Sequence, residues 1–189
     1  MPPPDLADEP AAPESGLVTI ALPTLAHTLL QRATRAQPGW SALLTSEMPA
    51  TQRAALREAD RANSTWLIRI VDRHGWPGDR LVGRTGAHAA WLLALHSPAV
   101  AYQRFLLTAM ATAVGHDDAD RTQWAQLYDH LCVATGQPQL YLTHPATDHA
   151  RHLTPAPELL NARRAAAGLP PEPSFPSAYA HPDAEATIR

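Results

Sequence analysis

Lysine is absent from this 189-residue chain, and all 15 basic side chains are arginine. That excludes lysine Schiff bases, a pyridoxal-phosphate anchor and a phosphate-loop lysine. Cysteine is nearly absent too. With Cys132 alone, one chain cannot form an internal disulfide or a thiolate-built zinc site. Charge of either sign is scarce: 18 acids against 15 arginines give a formal −3, too balanced to advertise a nucleic-acid or anionic-membrane surface. Long apolar runs are missing as well. The longest, Ala89 to Leu95, falls far short of the roughly 20 residues that span a bilayer. The opening MPPPDLADEP is acidic and proline-rich, opposite to the basic-then-apolar plan of a secretory signal. The expectation is a soluble, cytoplasmic protein. No glycine-rich phosphate loop, internal repeat or heptad pattern is present.

Proline, by contrast, is plentiful and crowds the two ends. Residues 1–16 carry four acids and no base, and they read as a flexible acidic tail; residues 170–189 read as a proline-rich tail. Both have few large apolar side chains to offset ordering entropy. Between them, residues 17–169 are long enough for a real core. Leucines at 22, 25, 29 and 30 mark a first helix, which Pro38-Gly39 is expected to break. A second runs from about Pro49 to Arg73, with Leu56, Ala59, Ala62, Trp66 and Ile70 on one face, capped by Gly75. Thr85 is placed to cap a third helix ending near His96. Ser97-Pro98 opens a fourth that Gly115 closes, and Asp117 or Asp118 opens a fifth that Gly136 closes. Gln139 to Thr143 is extended, and a last helix runs from Thr154-Pro155 to near Gly168. Five to six helices with short connections and no long alternation predict an all-α, single bundle-like domain.

The segment His74-Gly75-Trp76-Pro77 starts an ordered series of short motifs. Val82-Gly83, Gly86, Ala89-Ala90-Trp91-Leu92, His96 and Gln103 follow. Asp129, Gly136, Pro138-Gln139, Tyr141, Thr143, Arg163 or Arg164, and Gly168-Leu169 complete it. This series, over about residues 55–170, resembles an uncharacterised bacterial family, a domain of unknown function. The resemblance implies a shared, mostly helical fold and carries no activity. The chain departs from the pattern at His130, where arginine is usual, at Leu142 for glycine, at His144 for glutamine and at Leu95 for glutamine. Three departures surround Asp129 and Tyr141, which suggests a specialised member acting on its own small molecule.

Several side chains have the chemistry for a site. An unperturbed imidazole titrates near neutrality, so His74 and His96 suit general acid and base roles, with Asp129 to orient an imidazole and fix its tautomer. Trp76 offers a flat apolar wall. His88, eight residues before His96, lies about 80° from it around a helix, so both can face one groove. Gln139 and Tyr141, two apart in an extended segment, share a face suited to a carbonyl or carboxylate. Arg163 or Arg164 adds bidentate anion binding. Each also has a plain structural reading: a helix-capping His74, a core Trp76 or His96, a packed Tyr141. The run holding His144, Asp148, His149 and His152 has metal-ligand chemistry but no recognised ligand spacing, so no metal site is assigned. Cys132 sits among apolar neighbours and reads as a small buried hydrophobe.

With no nucleotide-binding signature, the leading expectation is a cofactor-independent enzyme. It would use histidine acid–base catalysis on a small polar or anionic metabolite, in a tailoring step such as cyclisation, isomerisation, elimination or hydrolysis. A non-catalytic binding module using the same pocket or the tails is the alternative, and a histidine-ligated metal enzyme the second. The expected partner is a small-molecule substrate, with neither nucleic acid nor membrane; oligomeric state is left open.

Overall fold

Among the described residues, the helical spacing of the apolar residues is realised as five long helices and one short one. The computed structural model describes residues 20–45, 48–144 and 154–173. Helix α1 spans Pro23–Thr45, α2 Ala50–His74, α3 Asp79–Leu95, α4 Val100–Gly115 and α5 Arg121–Ala134. A 3-10 turn, Pro157–Leu159, leads into α6, Leu160–Ala166. No strand forms among the described residues, so the chain is all-α and a single domain. None of the described helices is long and apolar enough to cross a membrane. Residues 1–19 and 174–189, which include the expected acidic tail and all but the first four residues of the proline-rich one, lie outside the described residues, as do Asp148, His149 and His152.

Helix α3 is the hub, packed on α1, α2, α4 and α5, with α1 its broadest partner. Small residues permit the α1–α3 approach. Ala26, Ala33 and Ala36 of α1 and Gly86, Ala87, Ala90 and Ala94 of α3 are buried. A Cβ on Gly86 would stand 3.3 Å from the Ala26 Cβ and 2.9 Å from that of Val82, so a side chain there would push the helices apart. Leu29, Leu67, Leu93, Leu106, Met110 and Leu127 fill the centre at 1% exposure or less.

Several expected boundaries move. Asp120, not Asp117 or Asp118, caps α5, and the last helix starts at Leu160, after the 3-10 turn, not at Thr154-Pro155. Helix α1 runs through Pro38 instead of ending there. Proline removes one donor from the ladder and costs about 3 kcal/mol inside a helix. Continuing the helix buries Trp40, whose indole N–H donates to Asp60 Oδ1 at 3.0 Å. Burial of that large ring, with its hydrogen bond, offsets the proline. Helix α3 starts at Asp79, ahead of Thr85, but its path bends at Gly83, whose φ of 71° and ψ of 163° are not helical. Only glycine takes that conformation without strain. The bend lets Ala21 and Leu22 donate to the carbonyls of Arg80 and Leu81, pinning the entry to α1. Asp118, before α5, binds the same turn: its carboxylate accepts from the Arg80 amide at 2.7 Å and its carbonyl from the Asp79 amide.

Candidate functional site

The segment after α5 has no regular hydrogen-bond ladder, so its backbone groups need other partners. Charged side chains supply them. Asp129, on α5 and fully buried, accepts from the amides of Leu140 at 2.8 Å, Tyr141 at 3.1 Å and Thr143 at 2.9 Å, and from the Thr143 hydroxyl at 3.0 Å. The carbonyls face α6. Arg163 Nε donates to Leu140 O at 3.1 Å, and Arg164 donates to the carbonyls of Tyr141 and Leu142 and, through Nε, to Pro170 O. Gln139 closes the turn on itself: its Oε1 accepts from the His144 amide at 3.0 Å, while its carbonyl accepts from Thr154 Oγ1. The loop is thus held between a carboxylate on one side and two guanidinium groups on the other.

This arrangement places histidines from three elements near one another. His96 closes α3, His130 is on α5, and His144 ends the described part of the loop. The His96 ring stacks on Trp40, centroids 4.1 Å apart and planes within 7°. The His130 and His144 rings lie 5.1 Å apart. Burial, reinforced by His130, pushes the His96 imidazole down to about 4; burial, reinforced by His144, does the same to His130. Burial also lowers His144, against a smaller opposing pull from Asp129. At neutral pH these rings are uncharged, each keeping one N–H donor and one lone pair. Two polar atoms at this end, Ser97 Oγ and Arg163 Nη2, are buried without a hydrogen-bond partner. Asp60, which holds Trp40, has its carboxyl raised by burial and partly restored by the Trp40 bond.

The residues expected at one site separate into three places. His96, Asp129, Gln139, Tyr141 and Arg163 belong to the loop end. Trp76 and His88 line a different groove, of about 710 Å³, between α3 and the α4–α5 connection. There His88 Nδ1 meets Gln123 Nε2 at 3.0 Å, and the Trp76 indole N–H is buried without an acceptor. His74 is exposed at the end of α2. It precedes the 17-residue α3 whereas His96 follows it, so about 20–25 Å of helix separates them, and they do not meet. Asp129 orients the loop, and among the described residues no imidazole donates to it. Gln139 and Tyr141 go to different partners: the chain bends at 140 and 141, and the Gln139 side chain turns back to accept from the His144 amide. Tyr141 packs edge-on to Trp124 and Tyr128, and burial raises its hydroxyl, with Asp129 adding to the effect. Burial first, then Asp129, also raises the Cys132 thiol, which keeps it protonated and unreactive.

Trp40, Asp60 and His130 were missed as site residues. Trp40 lies just past the expected break at Pro38-Gly39, and Asp60 gives no sign in sequence that it bonds an indole. His130 did carry a signal, since it and His144 are two of the departures from the motif series, and they face each other. No curated protein matches the chain, and no solved structure does. The motif series is accompanied by a match over residues 19–178 to the model of a family of unknown function, and to that family, DUF6624, the chain belongs.

Proposed function

We propose that the end of the bundle bearing His96, His130 and His144 is a small-molecule site for cofactor-independent acid–base chemistry on a small polar or anionic metabolite. One observation carries the reading: imidazoles from α3, α5 and the following loop are grouped and held neutral by burial. A neutral imidazole accepts a proton, and its neighbour's N–H donates one, which is the pairing that isomerisation, elimination, cyclisation or hydrolysis needs. An anionic substrate brings the missing negative charge. Its field raises the pKa of both rings toward neutrality, where proton transfer in each direction is efficient. Trp40 supplies a flat wall behind His96. The nearly neutral, lysine-free surface favours a small molecule over nucleic acid, and a single protonated thiol suits a reducing, cytoplasmic setting. The departures at positions 130 and 144 fit a specialised-metabolism substrate.

The test is a thermal-shift panel of small carboxylates and carbonyl compounds on the full chain and on His130→Ala and His144→Ala variants. A compound that stabilises the wild type and neither variant supports the site. Turnover of that compound, followed by NMR, then separates catalysis from simple binding. Equal stabilisation of all three proteins by every active compound, or none by any, overturns the reading.

A further inference from the structure

Helices α1 and α2 enclose a groove of about 590 Å³ that shares no lining residue with the histidine cluster. Its volume lies in the usual range for small-molecule sites. Arg32 and Arg35 of α1 stand on it one helical turn apart, and among its described lining residues there is no carboxylate. The described ion pairs, Glu58–Arg61, Asp118–Arg80 and Asp117–Arg121, involve neither arginine. Among the described residues, two like charges therefore face one cavity with no carboxylate paired to either.

Arg32 is already oriented. Its Nη1 donates to Asn63 Oδ1 at 3.0 Å, with Asn63 itself 8% exposed, and its guanidinium lies 4.4 Å from the Trp66 ring centre. A guanidinium fixed on one edge and one face loses little freedom when its remaining N–H groups take an anion. Beside the arginines the wall becomes apolar: Ala36 and Gly39 from α1, Leu56 and Ala59 from α2. Gly39 sets the width, since a Cβ there would come within 2.8 Å of Leu56 Cδ1. The cavity thus has a cationic end and a short apolar end.

We propose that this groove is a second ligand site, separate from the histidine cluster, that binds a small amphipathic anion with a phosphate or carboxylate head on the Arg32–Arg35 pair. The head bridges the two guanidinium groups, and an apolar tail of a few carbons covers Leu56 and the small residues. No covalent step is involved.

Isothermal titration of the full chain with octyl phosphate, octanoate, inorganic phosphate and octanol tests this. Octyl phosphate or octanoate should bind about tenfold or more tighter than the head or the tail alone, and whichever binds tighter identifies the preferred head. Arg35→Ala should weaken that binding about tenfold, and Ala59→Phe should block it by filling the groove. Arg35 is exposed and Ala59 lines open space, so both variants should keep the wild-type circular dichroism. His130→Ala should leave the affinity unchanged, which separates failure here from failure at the histidine cluster. No binding of either amphiphile, affinity equal to phosphate alone, or affinity unchanged in both Arg35→Ala and Ala59→Phe overturns the proposal. So does a loss confined to His130→Ala.

Discussion

The α1–α4 body and the 139–144 loop are both well packed, but by different forces. In the body, leucines and alanines close on one another, and any one side chain contributes a share of a large apolar total. In the loop, a single carboxylate receives four donors and two arginines cap the opposing carbonyls. The body's stability is distributed; the loop's is concentrated in three charged residues. Concentration makes a segment without secondary structure rigid, and it makes that segment fail abruptly when one charge is removed.

The largest effect should therefore come from Asp129→Ala. It leaves three half-buried amides and a hydroxyl without their acceptor, and it removes the carboxylate that stands across the loop from buried Arg164 and half-buried Arg163. A loss of about 3–5 kcal/mol in urea denaturation is expected. Asp129→Asn keeps one acceptor oxygen but replaces the other with an NH2 group that faces N–H and O–H donors, so it should recover only part of that loss. Leu93→Ala probes the other regime. A cavity in the body should cost about 2–4 kcal/mol, while the Tyr141 and His144 NMR signals stay in place. If instead Leu93→Ala disturbed the loop as much as Asp129→Ala does, the two regions would be one cooperative unit and the contrast would collapse.

Acid sharpens the comparison further. His96 and His130 have folded pKa values near 4, below the ordinary 6.5. Between pH 6.5 and 4 the unfolded chain takes up protons that the native rings refuse, so stability is full above 6.5 and falls as pH drops toward 4. His144 acts in the same sense, whereas Asp60, with its carboxyl raised above 3.8, acts in the opposite one. Urea midpoints measured from pH 7.5 to 4 should decline, and His130→Gln should flatten that decline. The smallest effect belongs to His74→Ala, an exposed helix-end position: within about 0.5 kcal/mol of wild type, with no change in ligand stabilisation.

The body was readable in sequence because burial imposes a period. Ala89 and Leu93, Leu106 and Ala109, and Leu127 and Leu131 recur at helical spacing, and Gly75, Gly115 and Gly136 fall at or beside the helix ends. What periodicity could not show was a helix held together across a proline, since that depends on Trp40 finding Asp60 twenty residues away. The site was less readable for a related reason. Histidine and aspartate have no spacing rule when their partners are backbone groups of a distant loop. Asp129 looked like an acid for an imidazole because residue type reveals that a carboxylate can accept, but not from which donor. The pairing of His130 with His144 depends on where the loop returns, and only tertiary structure supplies that.

Pro38 has a consequence for time as well as for shape. Its missing N–H leaves the Thr34 carbonyl without the intrahelical donor that would tie the last turns of α1 to those before it. The segment from Gly39 to Thr45 therefore has one backbone tie fewer to the turns before it and is anchored to α2 by the Trp40–Asp60 bond. Amide exchange should report two populations in one continuous helix: slow before the proline, faster after it. The aromatic wall behind His96 rides on the faster part, so the cluster's exposure to solvent is set by the breathing of the end of α1.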